Sequence, residues 1–143
     1  MVLLIVHLMA TAFMTGVIWF VQIVHYPLFA RVGAEGFPAY EAAHQRLTTF
    51  VVGPAMLVEA LCAAALVAAA PAGVPRWMAW AGLAMVAALW LSTAALQVPA
   101  HARLSGGFDA AALAALVGSN WVRTALWSAR AVLAGWMVAL AAA

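Results

Sequence analysis

The stretch VLLIVHLMATAFMTGVIWFVQIV, residues Val2–Val24, carries no charged side chain. It is longer than the roughly 20 helical residues needed to cross a bilayer. Its few polar groups are not scattered. His7, Thr11, Met14, Ile18, Gln22 and His25 recur at intervals of three or four, the spacing that lines up side chains along one face of a helix. An uncharged helix with a single polar face predicts a membrane span that turns that face toward other helices, because a polar group facing lipid is costly.

Three further stretches have the same character: Leu47–Ala70, Trp77–Val98 and Asn120–Leu140. Of the 143 residues, 69% are hydrophobic and only 7% charged, whereas a soluble domain is about half apolar and a quarter charged. The balance excludes an ordinary cytosolic domain and a disordered tail, and the lone Cys62 excludes a disulfide scaffold. The first stretch lacks a basic segment before it and a small-residue cleavage site after it, so it reads as a retained span rather than a signal peptide. The predicted fold is all-α: one integral-membrane domain over residues 1–143, an antiparallel four-helix bundle with a polar interior.

Proline and glycine set the expected breaks. Pro27 and Pro99 close the first and third spans, and Pro71, Gly73 and Pro75 form a tight second connection. Pro38 suits the first turn of a helix, and Gly53-Pro54 predicts a kink in the second span. Between Gly106 and Ser119, Phe108, Leu113 and Leu116 predict a short interfacial helix with Asp109 as its N-cap. No internal repeat stands out. All six basic residues are arginines and they are dispersed, so no nucleic-acid surface is expected. Arg31, Arg46, Arg103 and Arg123 against Arg76 alone put connections one and three in the cytoplasm and both termini outside. The setting is a bacterial-type inner or plasma membrane, with the lipid bilayer as the main partner and homo-oligomerisation left open.

The other spans carry stripes too: His44, Thr48, Val51, Ala55, Glu59 and Cys62; Val86, Trp90, Thr93, Gln97 and His101; Asn120, Arg123, Trp127, Arg130 and Ala134. At 1.5 Å per residue His7 and His25 stand about 27 Å apart, so they cannot share an ion. His25, His44 and His101, by contrast, all fall near the cytoplasmic helix ends, with Tyr26, Glu41 and Arg123 at similar depth. Three histidines with an open position suit zinc, iron or copper. The bland alternative is a set of hydrogen-bonding residues at helix ends. Glu41-x-x-His44 matches half of a di-iron carboxylate pair, and the chain has no second half. Glu59 and Arg130, about 20 and 15 Å deep, predict a buried pair that either fixes helix register or relays protons and anchors an anion. His7 as a haem ligand would need a partner such as Met78, Met85 or Met137.

His7, Gly16, Trp19, the run Val24-His25-Tyr26-Pro27-Leu28-Phe29, then His44-Gln45-Arg46-Leu47 and Val52-Gly53-Pro54-Ala55-Met56 carry a resemblance. Over roughly residues 7–60 the chain resembles the superfamily of small four-helix membrane proteins that holds HemJ-type protoporphyrinogen oxidases and copper-resistance D domains. The resemblance implies a bundle holding b-type haem for redox chemistry, with His7 at the haem-ligand position. The second half departs from that pattern at Gln97-Val98-Pro99-Ala100-His101 and Asn120-Trp121-Val122-Arg123-Thr124.

These readings converge on a small membrane redox protein, an oxidoreductase acting on a lipid-soluble substrate. Its cofactor would be haem b or a non-haem metal ion (iron, copper or zinc). His25, His44 and His101 are the expected metal ligands, His7 the expected haem ligand. Glu41, Tyr26 and Arg123 would orient substrate, and Glu59 and Arg130 would carry protons or hold an anion. The competing readings are a small-solute or ion carrier using the same interior, and a structural subunit without chemistry.

Overall fold

A computed structural model describes residues 1–143. The chain is all-helical, with four helices long and apolar enough to cross a membrane: α1 Val2–Arg31, α2 Phe37–Ala68, α3 Arg76–Leu104 and α4 Ala110–Ala142. α1 packs against α2 and α4, and α3 packs against the same two from the other side.

Two of the expected breaks are absent. α1 and α3 run through Pro27 and Pro99 rather than stopping there. A proline inside a helix leaves a carbonyl one turn earlier without its usual donor. Both helices absorb this by widening just before the proline. Val21–His25 and Thr93–Gln97 are π-helical, and the Tyr26 and Val98 amides donate to the carbonyls of Val21 and Thr93, five residues back. The same device thus appears in each half of the chain, followed by the matching runs Pro27-x-x-Ala30-Arg31 and Pro99-x-x-Ala102-Arg103. Gly53-Pro54, where a kink is expected, lies inside α2, which continues through it.

The separate interfacial helix is also absent: residues from Ala110 onward belong to α4 itself. Its cap is as expected. Asp109 Oδ1 accepts from the Ala111 and Ala112 amides at 2.9 and 3.0 Å, and Oδ2 accepts from Arg103 at 2.6 Å. The Ala112 amide foremost, and then Arg103, hold this carboxyl below the usual carboxylate range. A depressed folded-state pKa contributes stability that is present above the ordinary value of about 4 and fades as pH falls through the folded value. Asp109→Ala should therefore lower the melting temperature at neutral pH, and the difference from wild type should shrink below about pH 4.

The interior is layered. Leu4, Leu66, Met78 and Met137 fill the end that holds the α2–α3 connection, Met14, Ile18, Leu89 and Trp127 the middle, and Phe29, Phe37, Leu104 and Leu116 the opposite end. Polar layers separate these three apolar ones. At the α2–α3 turn Gly73 has φ +82°, and a Cβ there would lie 2.7 Å from the Leu140 carbonyl oxygen, so only glycine fits without strain.

Candidate functional site

The deeper polar layer holds the pair expected from the sequence. Glu59 and Arg130 are each 1% exposed and form an ion pair through Arg130 Nη2 and Glu59 Oε1. Arg130 Nη1 donates to the Gly82 carbonyl, and the Thr11 hydroxyl donates to Glu59 Oε1 at 3.1 Å. His7 belongs here as well. Its Nε2 lies 3.0 Å from Arg130 Nη2 and 3.4 Å from Glu59 Oε1, and its buried Nδ1 has no partner. None of the larger cavities is lined by His7. The ring nitrogen that would ligate haem thus faces a guanidinium, with no space beside it for a macrocycle. The residues around His7 do not fit haem, and Met78 and Met137 are committed to the apolar layer with Leu4.

The second polar layer lies at the opposite end, where the three other histidines meet. The N-terminal turns of α2 bring in Glu41 and His44. The π turn of α1 swings Gln22 inward and leaves His25 and Tyr26 facing α2. The segment after the π turn of α3 delivers His101. Glu41 is fully buried, and its Oε1 lies 2.5 Å from His101 Nδ1. A carboxylate accepts, so His101 donates from Nδ1 and accepts the Tyr26 hydroxyl proton at Nε2, at 3.1 Å. Tyr26–His101–Glu41 is thus a continuous donor–acceptor chain. Gln45 fixes the far end, donating to Glu41 Oε1 at 2.9 Å, while Glu41 Oε2 is buried without a partner.

His25 and His44 form a separate contact. His25 Nε2 and His44 Nδ1 are 2.8 Å apart, and the Thr48 hydroxyl stands 3.1 Å from the same His44 nitrogen. The His44 ring stacks on His101 at 5.3 Å between centroids. The three histidines therefore converge as expected, but their nitrogens do not. Both of His101's are taken by Glu41 and Tyr26, and no group of three His, Cys, Asp or Glu side chains is disposed to hold a metal ion.

Behind these rings the two π turns feed α4. Gln22 donates to the Val117 carbonyl at 3.2 Å, and its Oε1 accepts from Asn120 at 2.9 Å. Gln97 donates to Ser119 at 2.9 Å. Asn120 in turn accepts from Arg123 Nη1 at 3.1 Å. The helical stripes include Gln22, Gln97 and Asn120 without giving them a task. The π-turn setting of Gln22 and Gln97 is the signal that periodicity lacks.

The layer borders space. A polar cavity of about 280 Å³ between α2 and α3 is lined by Tyr26, His44, Thr48, Gln97, His101 and Arg123 among others. On the other side of α2, an apolar groove of about 620 Å³ runs along α1 from Phe13 to His25. A third, of about 350 Å³, continues the α2–α3 seam past Gly53, Met56 and Trp90 and shares Thr93 and Val98 with the polar cavity. The arrangement offers a polar chamber lined by two members of an acid–base chain, Tyr26 and His101, with an apolar groove beside it. Comparison of the chain with protein families, with characterised proteins and with solved structures finds no match.

Proposed function

We propose that the protein is an integral membrane enzyme that draws a lipid-soluble, amphipathic substrate from the bilayer into the chamber between α2 and α3 and exchanges a proton with it through Tyr26, His101 and Glu41. If that substrate is oxidised or reduced, the electrons must come from or go to a separate carrier such as a quinone. The observation that carries this reading is the unbroken Tyr26–His101–Glu41 chain in the wall of a polar cavity that runs into an apolar seam. General acid–base work needs a group that can gain and lose a proton within hydrogen-bond reach of the substrate. Tyr26 and His101 line the cavity, and Glu41 orients the imidazole from behind.

Membrane insertion as an antiparallel bundle is supported by what the helices show outward. Phe50, Leu61, Leu91 and Val132 are each about 70% exposed, one pattern on three helices, and a soluble protein does not present apolar faces of that extent. Exposed Trp77 and Trp136 pair edge to face at the end opposite the chamber, where an aromatic belt belongs. Exposed Arg31, Arg46 and Arg103 at the chamber's end support a cytoplasmic position for that end, with the termini outside. Native mass spectrometry of protein purified in mild detergent is the direct test. It should show a lipid-soluble compound retained at about one per chain, the occupancy of a single well-formed pocket; protein free of any such compound, and unable to take one up from a lipid extract, overturns the reading.

A metal site is the second reading, favoured by the convergence of His25 Nε2 and His44 Nδ1. A metal ion bound there would supply one-electron or Lewis-acid chemistry beside the chamber, with these two rings as its protein ligands. Elemental analysis decides it. His25→Ala and His44→Ala should each abolish a metal that His101→Ala retains; equal loss in all three variants, or no metal in the wild type, removes this reading.

A further inference from the structure

Arg123 is 92% buried, at 8% exposure, and has no carboxylate within ion-pair distance. Every acid in the chain is otherwise accounted for. Glu59 pairs with Arg130, Glu41 with His101 and Asp109 with Arg103, while Glu35 is exposed in the first connection. Arg31, Arg46, Arg76 and Arg103 are exposed to solvent or to the bilayer surface. Arg123 is therefore the one guanidinium that is both buried and without an acidic partner. It donates to Asn120 Oδ1 and stands beside the Tyr26 hydroxyl, both neutral partners, and its Nε has no partner. A charge held like this away from water is costly unless an opposite charge joins it.

The surroundings say where that charge would come from. Arg123 lines the polar cavity with Tyr26, His101 and Gln97. The cavity continues into the apolar α2–α3 seam along Gly53, Met56, Leu57 and Trp90. The two spaces are thus neighbours on one α2–α3 seam, sharing Thr93 and Val98.

We propose that Arg123 receives the anionic head of a carboxylate-bearing amphiphile, whose tail lies in the Gly53–Met56–Trp90 groove. This rests on the reading that the chamber takes a lipid-soluble substrate, and it adds that the substrate is an anion. A carboxylate matches the planar guanidinium, whose donors engage its two oxygens together. A phosphate monoester would bring a second negative charge and a larger head toward Glu41, a carboxylate fully buried behind His101.

The test uses full-length protein in a non-ionic detergent, titrated calorimetrically with dodecanoate, dodecanol and acetate. Dodecanoate should bind at one per chain. Dodecanol, with the same tail and no charge, should bind about 10–100-fold more weakly, the range expected for hydrogen bonds to a charged group. Acetate, with the head alone, should bind more weakly than either. Arg123→Gln should cost dodecanoate the same 10–100-fold and leave dodecanol unchanged, and Arg123→Lys should restore most of the difference. Equal binding of dodecanoate and dodecanol to the wild type overturns the anionic head while leaving a lipid-soluble substrate in place. This comparison stands even where Arg123→Gln does not fold. Failure of both long-chain ligands to bind overturns the proposal together with the reading beneath it. Acetate binding as tightly as dodecanoate, or Arg123→Gln binding dodecanoate normally, also overturns it.

Discussion

Replacing Arg130 with methionine should destabilise the protein by about 3–5 kcal/mol, the cost of leaving one member of a buried ion pair without its partner. Glu59 would be left with only the Thr11 hydroxyl at 3.1 Å and His7 Nε2 at 3.4 Å beside it. Most folded domains have about 5–15 kcal/mol of stability in all, so the variant should unfold at far lower denaturant than wild type. The double variant Glu59→Leu/Arg130→Met should recover most of the loss, because a pair replaced together by apolar groups of similar volume leaves no orphaned charge. Denaturant titration of detergent-solubilised protein, followed by tryptophan fluorescence, measures both. A single variant within about 1 kcal/mol of wild type would show that the pair carries no such weight. Glu59 and Arg130 were read from the sequence either as a register clamp or as a proton relay. Their enclosure, away from every larger cavity, favours the clamp.

Loss of the relay should have an effect of the same order on chemistry while sparing the fold. Glu41→Gln keeps the size of the side chain and its bond from Gln45, but removes the charge that holds the His101 proton on Nδ1. An imidazole free to take the other tautomer no longer accepts from Tyr26, so the chain of Tyr26–His101–Glu41 is broken at its centre. General acid–base groups contribute about 10²–10⁴-fold. Conversion of the retained lipid-soluble compound should fall by that factor in Glu41→Gln and in His101→Ala, and the double variant should fall no further, since residues acting as a unit are not additive. Binding of the compound should change little. Unchanged conversion in either single variant contradicts the relay.

The four helices were legible because an uncharged run of this length has few other destinations, and the inward stripes because helical spacing is rigid over three or four turns. On α4 the expected face, Asn120, Arg123, Trp127, Arg130 and Ala134, is buried throughout. The failures on α1 and α3 share a cause in backbone that sequence periodicity cannot register. In α3 the stripe traced back from Gln97 named Trp90, yet Trp90 is 44% exposed and Leu89 is buried. The π turn at Thr93–Gln97 inserts one residue into the register, so a face extrapolated across it arrives one position late. Pro27 and Pro99 looked like stops for the same reason, since the widened turn that accommodates them leaves no mark in composition. On α2 the predicted Val51 is exposed, and the inward face passes instead through Val52, partly buried against Met14 and Trp127.

The site was half legible. Depth alone placed His25, His44, His101, Tyr26, Glu41 and Arg123 together, and they do meet. Which ring nitrogen faces which partner depends on tilt and rotation, and this divides the three histidines into a facing pair and a relay member. Arg123's lack of an acidic partner was visible in outline, with six arginines against four acids. Only the packing shows which arginine goes without.

An experimental density map of the detergent-purified protein with its retained compound tests the central claim most directly. The account predicts density in the α2–α3 chamber, bounded by Tyr26, His101 and Arg123, with its apolar portion running past Trp90 toward Met56. Density confined to the α1–α2 groove, with only water in the chamber, would contradict it.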